Sequence, residues 1–122
     1  MLMLFLTAIG LLYAFLALWC TFQPQITSQT VGFELAPGSG QSEFLTVYGG
    51  LELGLALIFL WPWVRPQSTE FALTSCLLVH VCLVLFRTVS FLTYSGISTS
   101  TYKLAAGEWV IFVASAILMW RR

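Results

Sequence analysis

The stretch Leu45-Thr46-Val47-Tyr48-Gly49-Gly50-Leu51-Glu52-Leu53-Gly54-Leu55-Ala56-Leu57-Ile58-Phe59-Leu60-Trp61-Pro62-Trp63 contains a single charged residue, Glu52, and is otherwise almost wholly apolar. About 20 such residues cross the hydrocarbon core of a bilayer as a helix. Three further stretches of the same kind follow outward from it: Leu2 to Phe22, Phe71 to Tyr94 and Leu104 to Trp120. In lipid every backbone polar group must be satisfied internally, so a spanning segment is either a helix or part of a closed barrel. None of the four shows the alternating ten-residue pattern of a barrel strand. The expected fold is therefore an all-α, four-helix transmembrane bundle forming one integral membrane domain over residues 1–122.

Composition agrees. Hydrophobic residues make up 59% of the 122 and charged residues 8%, against roughly a quarter charged in soluble domains. Formal net charge is zero and no Lys/Arg run occurs, which leaves no electrostatic footprint for nucleic acid. Cys20, Cys76 and Cys82 all lie in apolar stretches and form no CxxC pair, so they read as small buried hydrophobes, neither a disulfide framework nor a metal site. The first apolar stretch has no basic residue ahead of it and no small-residue cleavage site behind it, and reads as a retained helix.

The connections differ in kind. Gln23 to Phe44 is long and rich in Gln, Ser, Thr, Gly and Pro; a loop of this length is commonly a lid. Within it Val31, Phe33 and Leu35 alternate with Gly32 and Glu34, which predicts a short strand or hairpin ahead of the turn residues Pro37-Gly38 and Ser39-Gly40. A short turn is expected around Arg65-Pro66-Gln67-Ser68, and a second connection over Ser95 to Lys103. Arg65, Arg121 and Arg122 flank the end shared by both termini, against Lys103 at the other, so the positive-inside rule makes both termini cytoplasmic and turns the long loop outward.

Four ionisable side chains fall within the spans: Glu52, His80, Arg87 and Glu108. A charge at mid-membrane costs about 2.5–3.5 kcal/mol even on insertion scales, so such groups pair, face water or serve a function. At 1.5 Å per residue, Glu52 and Arg87 both lie about 10 Å below the outer edge and Glu108 about 6 Å below it. Three charges on three helices are thereby expected to share one level, with Arg87 able to grip one carboxylate through two donors while touching another. Tyr48 lies one turn above Glu52, and Cys76, His80, Arg87 and Tyr94 form one stripe of the third span. Arg87, Glu52, Glu108, Tyr48, Tyr94 and His80 are the candidate ligand-binding residues of a polar pocket under the long loop; the competing reading makes the charges an interhelical staple. His80 has no second histidine to share a metal or haem, and no metal or cofactor is expected. Gly50 and Gly54, four apart and opposite Glu52, are candidate helix-packing residues, within the chain or against a second copy.

The run Ser42-Glu43-Phe44-Leu45-Thr46-Val47-Tyr48-Gly49-Gly50-Leu51-Glu52-Leu53-Gly54, taken with Arg87 and Glu108, resembles an uncharacterised bacterial family of small four-helix integral membrane proteins, and more remotely the DoxX-like membrane proteins. Some DoxX-like proteins accompany quinone-linked sulfur-oxidising enzymes. The resemblance covers nearly the whole chain and implies the four-helix fold and a bacterial inner membrane. It brings no activity, and a fold cannot supply one. In that family a basic residue often precedes the Tyr-Gly-Gly run, where this chain has Phe44 and Leu45.

Three functions remain in view: a non-catalytic binding or accessory module for a lipid- or quinone-like molecule, a structural subunit of a homodimer or larger membrane complex, and a small proton-coupled transporter. No broken helix or internal repeat supports transport. Enzymatic activity is disfavoured, because no nucleophile and base pair, metal-ligand spacing or phosphate loop is present.

Overall fold

A computed structural model describes residues 1–122 and contains helices and no strand. Helix α1 is Leu2–Phe22, α2 is Pro24–Thr30, α3 is Ser39–Trp63, α4 is Thr69–Thr93 and α5 is Thr99–Trp120. All but the short α2 are long and apolar enough to cross a membrane. Between α3 and α4 a single 3-10 turn, Pro66–Ser68, takes the place expected for the connection.

Proline chemistry sets the breaks. The residue before a proline is pushed out of the α region. Gln23, ahead of Pro24, has φ −131° and ψ 58° and ends α1, while Arg65, ahead of Pro66, is extended at φ −134° and ψ 93°. Pro24 then opens α2, where a missing N–H is harmless.

The strand or hairpin expected over Val31 to Leu35 does not form. Gly32, at φ +88°, caps α2 instead. Its N–H donates to the Gln29 carbonyl at 3.0 Å, and the Phe33 N–H donates to the Ser28 carbonyl at 2.8 Å. These two bonds are the pair of a Schellman cap. They use the donors an alternating strand would have offered to a partner, and Phe33–Ala36 runs without regular structure. The long loop is consequently ordered, with Thr27 and Ser28 of α2 buried.

Three spans start earlier than the apolar runs do, α4 by only two residues, at Thr69, and α3 and α5 by more than a turn. Helix α3 begins at Ser39 in place of Leu45, because the Gln41 side chain accepts from the Gly38 N–H at 3.1 Å and closes the first turn. Helix α5 begins at Thr99 in place of Leu104, with the Ser98 hydroxyl accepting from the Thr101 N–H at 3.4 Å. Both extra turns are polar, which suits helix ends outside the hydrocarbon.

Within the spans the hydroxyls of Thr7, Thr21, Thr74 and Thr88 donate to the carbonyl four residues back at 2.7–2.8 Å. This return bond lets a hydroxyl sit in an apolar helix without an unpaired donor.

The core runs between α1 and its neighbours. Leu6, Ile9 and Tyr13 of α1 meet Ala56 and Phe59 of α3, Ala72 and Cys76 of α4, and Ile111 of α5. The tightest fit around a glycine is between α1 and α3. A Cβ on Gly10 would lie 2.6 Å from Leu60 Cγ and 3.3 Å from the Ala56 carbonyl oxygen, and one on Gly49 would lie 2.8 Å from Thr21 Oγ1. Gly50 and Gly54 take no part in this packing, since a Cβ on either meets nothing within 4 Å. The glycines that fit the helices together are Gly10 and Gly49.

At the end where the chain terminates, Trp63 Nε1 donates to Thr7 Oγ1 at 2.8 Å, and Arg122 Nε lies 3.7 Å from Glu70 Oε1. The α1 start, the α3 end, the α4 start and the α5 end therefore share one side of the bundle, with Arg65, Arg121 and Arg122.

Candidate functional site

Arg87 of α4 pairs with Glu108 of α5 alone. Its Nε donates to Oε2 at 3.0 Å and its Nη2 to Oε1 at 2.6 Å, a two-pronged contact in which the guanidinium side chain is 26% exposed and the carboxylate 15%. The expected depth match between α4 and α5 is therefore met, but Glu52 does not join. Arg87 makes no ion pair with Glu52, and the gathering of three charges expected at one level resolves into a pair and a separate carboxyl.

Glu52 lies instead on the face of α3 that carries Gly49, Ala56 and Phe59, the face applied to α1. Its Oε2 is buried and no protein donor reaches it. A buried polar atom left without a donor costs about 1–3 kcal/mol, so this placement calls for a reason. The residues immediately ahead, Leu45–Leu51, form a π-helix. A π-helical segment is a rare variant of the α-helix that recurs at functional sites. Here it holds Tyr48 and Gly49, and Glu52 is the first residue after it.

His80, fully buried, belongs to a third group. Its Nδ1 lies 2.8 Å from the Cys76 carbonyl oxygen, which can only accept, so Nδ1 carries the hydrogen. In the neutral ring Nε2 is then the acceptor, and Tyr13 donates its hydroxyl to it at 3.1 Å. The Tyr13 ring also stands edge-on to His80 at 5.8 Å and to Phe59 at 5.5 Å. With both ring nitrogens engaged, His80 is a satisfied core residue linking α4 to α1. Sequence reasoning passed over Tyr13, although a phenol midway along an apolar span must find a partner and Tyr13 falls on the Leu6, Ile9, Ala17 stripe.

Of the two remaining candidates, Tyr94 is 68% exposed at the extended end of α4. Tyr48 is half-buried and stacked on Phe44, with ring centroids 4.7 Å apart and planes 19° from parallel. Phe33 stands edge-on to both at 5.8 and 6.2 Å. These three rings line a cleft of about 340 Å³ between the segment Phe33–Ala36 and the first turns of α3, with Glu34 and Glu43 also in its wall. The cleft sits beside the long loop as expected of a lid region, lined by that loop and α3, and Arg87 is not among its lining residues. Phe33 and Phe44 were not singled out from sequence; the signal was three aromatic residues bracketing one Gly/Pro turn.

What the arrangement offers chemically is a cleft with an aromatic wall, a phenol hydroxyl at Tyr48, and an unengaged carboxyl oxygen on the following turn. Arg87 contributes a fixed link between α4 and α5. Compared with known protein families, curated proteins and solved structures, the chain matches none.

Proposed function

We propose that the protein is a non-catalytic, membrane-embedded binding module for a small amphipathic molecule of lipid or quinone type, held at the α3 end of the long loop. The observation that carries this reading is Glu52, a carboxyl whose Oε2 is buried without a donor at the end of a π-helix. An unpaired buried polar group and a π-helical segment each recur where a fold serves a ligand. The cleft at Phe33, Phe44 and Tyr48 has the size of a small-molecule site. Within the proposal the amphiphile's tail lies toward lipid and its polar end in the cleft at Tyr48, one turn above Glu52. The setting we propose is a bacterial inner membrane with both termini cytoplasmic, the orientation supported by Arg65, Arg121 and Arg122 at one end of the bundle.

Native mass spectrometry of the protein in a mild maltoside detergent tests it. The wild type should carry a co-purified adduct of a few hundred daltons that Glu52→Leu loses, while the thermal stability of that variant stays level or rises. A wild type free of any adduct, or an adduct indifferent to Glu52→Leu, would sink the proposal.

A second reading, a structural subunit, has its own observation: Gly50 and Gly54 leave a face of α3 that nothing in the chain covers. The same spectra test it, since a strictly monomeric species without protein partners contradicts assembly.

A further inference from the structure

The cleft beside α3 has a charge character that narrows the ligand. Two carboxylates, Glu34 and Glu43, stand in its wall, and no Lys, Arg or His does. Neither carboxylate is answered from within the protein, whose two ion pairs are Arg87–Glu108 and Arg122–Glu70. The rest of the wall is apolar or aromatic, with the Phe44 and Tyr48 rings stacked and Phe33 against both. The shape is held by backbone bonds: the Schellman cap fixes the chain up to Phe33, and the Ser42 N–H donates to the Gly38 carbonyl at 2.9 Å to fix it beyond Ala36. Gly32 and Gly38, at φ +88° and +77°, make the two bends that bring Glu34 and Glu43 to the same cleft.

Chemistry discriminates among amphiphiles here. A quinone or a phosphate group presents acceptor oxygens, which meet two carboxylates and only the Tyr48 hydroxyl as a side-chain donor. An organic ammonium presents the reverse: carboxylates attract it, and aromatic rings favour it through their quadrupoles, by about 0.5–2 kcal/mol depending on desolvation. The apolar wall at Leu35 and Val47 then suits an alkyl tail. We infer that this cleft binds an amphipathic organic cation, an alkyl-chain amine or quaternary ammonium, with the ammonium between the Phe33, Phe44, Tyr48 cluster and the carboxylates of Glu34 and Glu43. The inference rests on the binding reading above and specifies its ligand class. The ammonium comes either from a lipid headgroup or from a free amphiphile.

The test compares decyltrimethylammonium with its near-isostere of zero net charge, decyldimethylamine oxide, below micelle-forming concentrations, on the full chain in a neutral maltoside detergent. Saturation-transfer NMR reads binding of each probe. The cation should bind about ten-fold or more tightly than the isostere, a preference worth ~1.4 kcal/mol. Glu34→Gln with Glu43→Gln should remove most of that preference, and Phe33→Leu should weaken cation binding while leaving the fold intact, since Phe33 is exposed. Competition by added phosphatidylethanolamine or phosphatidylcholine identifies a lipid source, and its absence a free amphiphile. Equal binding of cation and isostere, or a preference that survives the double Gln variant, overturns the cation assignment and leaves the binding module standing. Failure of both probes and of decylubiquinone to bind overturns the two together.

Discussion

The bundle consists of two helix pairs joined by opposite means. Helices α4 and α5 are clamped by charge, through the two-pronged Arg87–Glu108 contact. Helices α1 and α3 are joined by shape, with Gly10 and Gly49 letting a neighbouring side chain and backbone in to van der Waals distance. Yet the shape-joined pair also holds a carboxyl, Glu52, and leaves one of its oxygens without a donor. Two acidic residues in similar membrane surroundings thus have opposite fates. Glu108 is spent on structure and Glu52 is not, and that contrast assigns the functional reading to α3.

The largest effect should come from breaking the charge clamp. Glu108→Leu strands the Arg87 guanidinium among apolar helices, and removal of one partner of a buried pair costs about 3–5 kcal/mol. Because Arg87 keeps 26% of its side chain exposed, the lower end, about 3 kcal/mol, is expected. Adding Arg87→Met should restore most of the loss, since apolar replacements of both partners are tolerated. Reversible unfolding in mixed micelles measures this. A single variant as stable as the wild type would mean the pair is not a clamp and would dissolve the contrast with Glu52.

A smaller effect is expected at the shape-joined pair. Gly10→Ala forces Leu60 and the Ala56 carbonyl aside, an overpacking cost of about 1–3 kcal/mol. Gly54→Ala, with nothing within 4 Å of the added Cβ, should be neutral or slightly stabilising in the monomer. Thermal melts of the two variants side by side give the readout. The reverse order of stabilities would place the tight seam on the other face of α3.

That pair of glycines also shows where sequence was informative and where it was not. Span number follows from counting apolar residues and holds in the structure, while span length was undercounted because α3 and α5 each begin with a polar turn that the count leaves out. Depth, however, says nothing of rotation about the helix axis. By level Glu52 was the nearer match for Arg87 and Glu108 lay about one turn higher, yet the azimuth set by packing gives Arg87 to Glu108. Rotation was further obscured by the π-helix at Leu45–Leu51, where each turn holds about one residue more than an α turn, so that faces counted through it shift by about one residue. Gly50 and Gly54 looked like the packing pair for the same reason that Gly49 was overlooked. The loop was misjudged because alternation at Val31, Phe33 and Leu35 predicts a strand only if a partner strand exists, and the Gly32 cap is a local alternative that needs none.

The smallest effect should come from the link between the two pairs. Tyr13 of α1 donates to Nε2 of His80 on α4 at 3.1 Å, with the imidazole fixed from its other side by the Cys76 carbonyl. Tyr13→Phe retains the ring contacts to Phe59 and His80 and removes only the hydroxyl. A neutral hydrogen bond contributes about 1 kcal/mol net, and the unpaired Nε2 adds to the loss. A destabilisation of about 1–2 kcal/mol is therefore expected, smaller than that of Glu108→Leu because a neutral acceptor, not a charge, is left without a partner. In a cycle with His80→Leu the two losses should fall well short of additive, since either change alone breaks the bond. Additive losses would show that Tyr13 and His80 act separately. The helix pairs would then be held together by apolar packing alone, and the polar interior would reduce to the clamp at Arg87 and the carboxyl at Glu52.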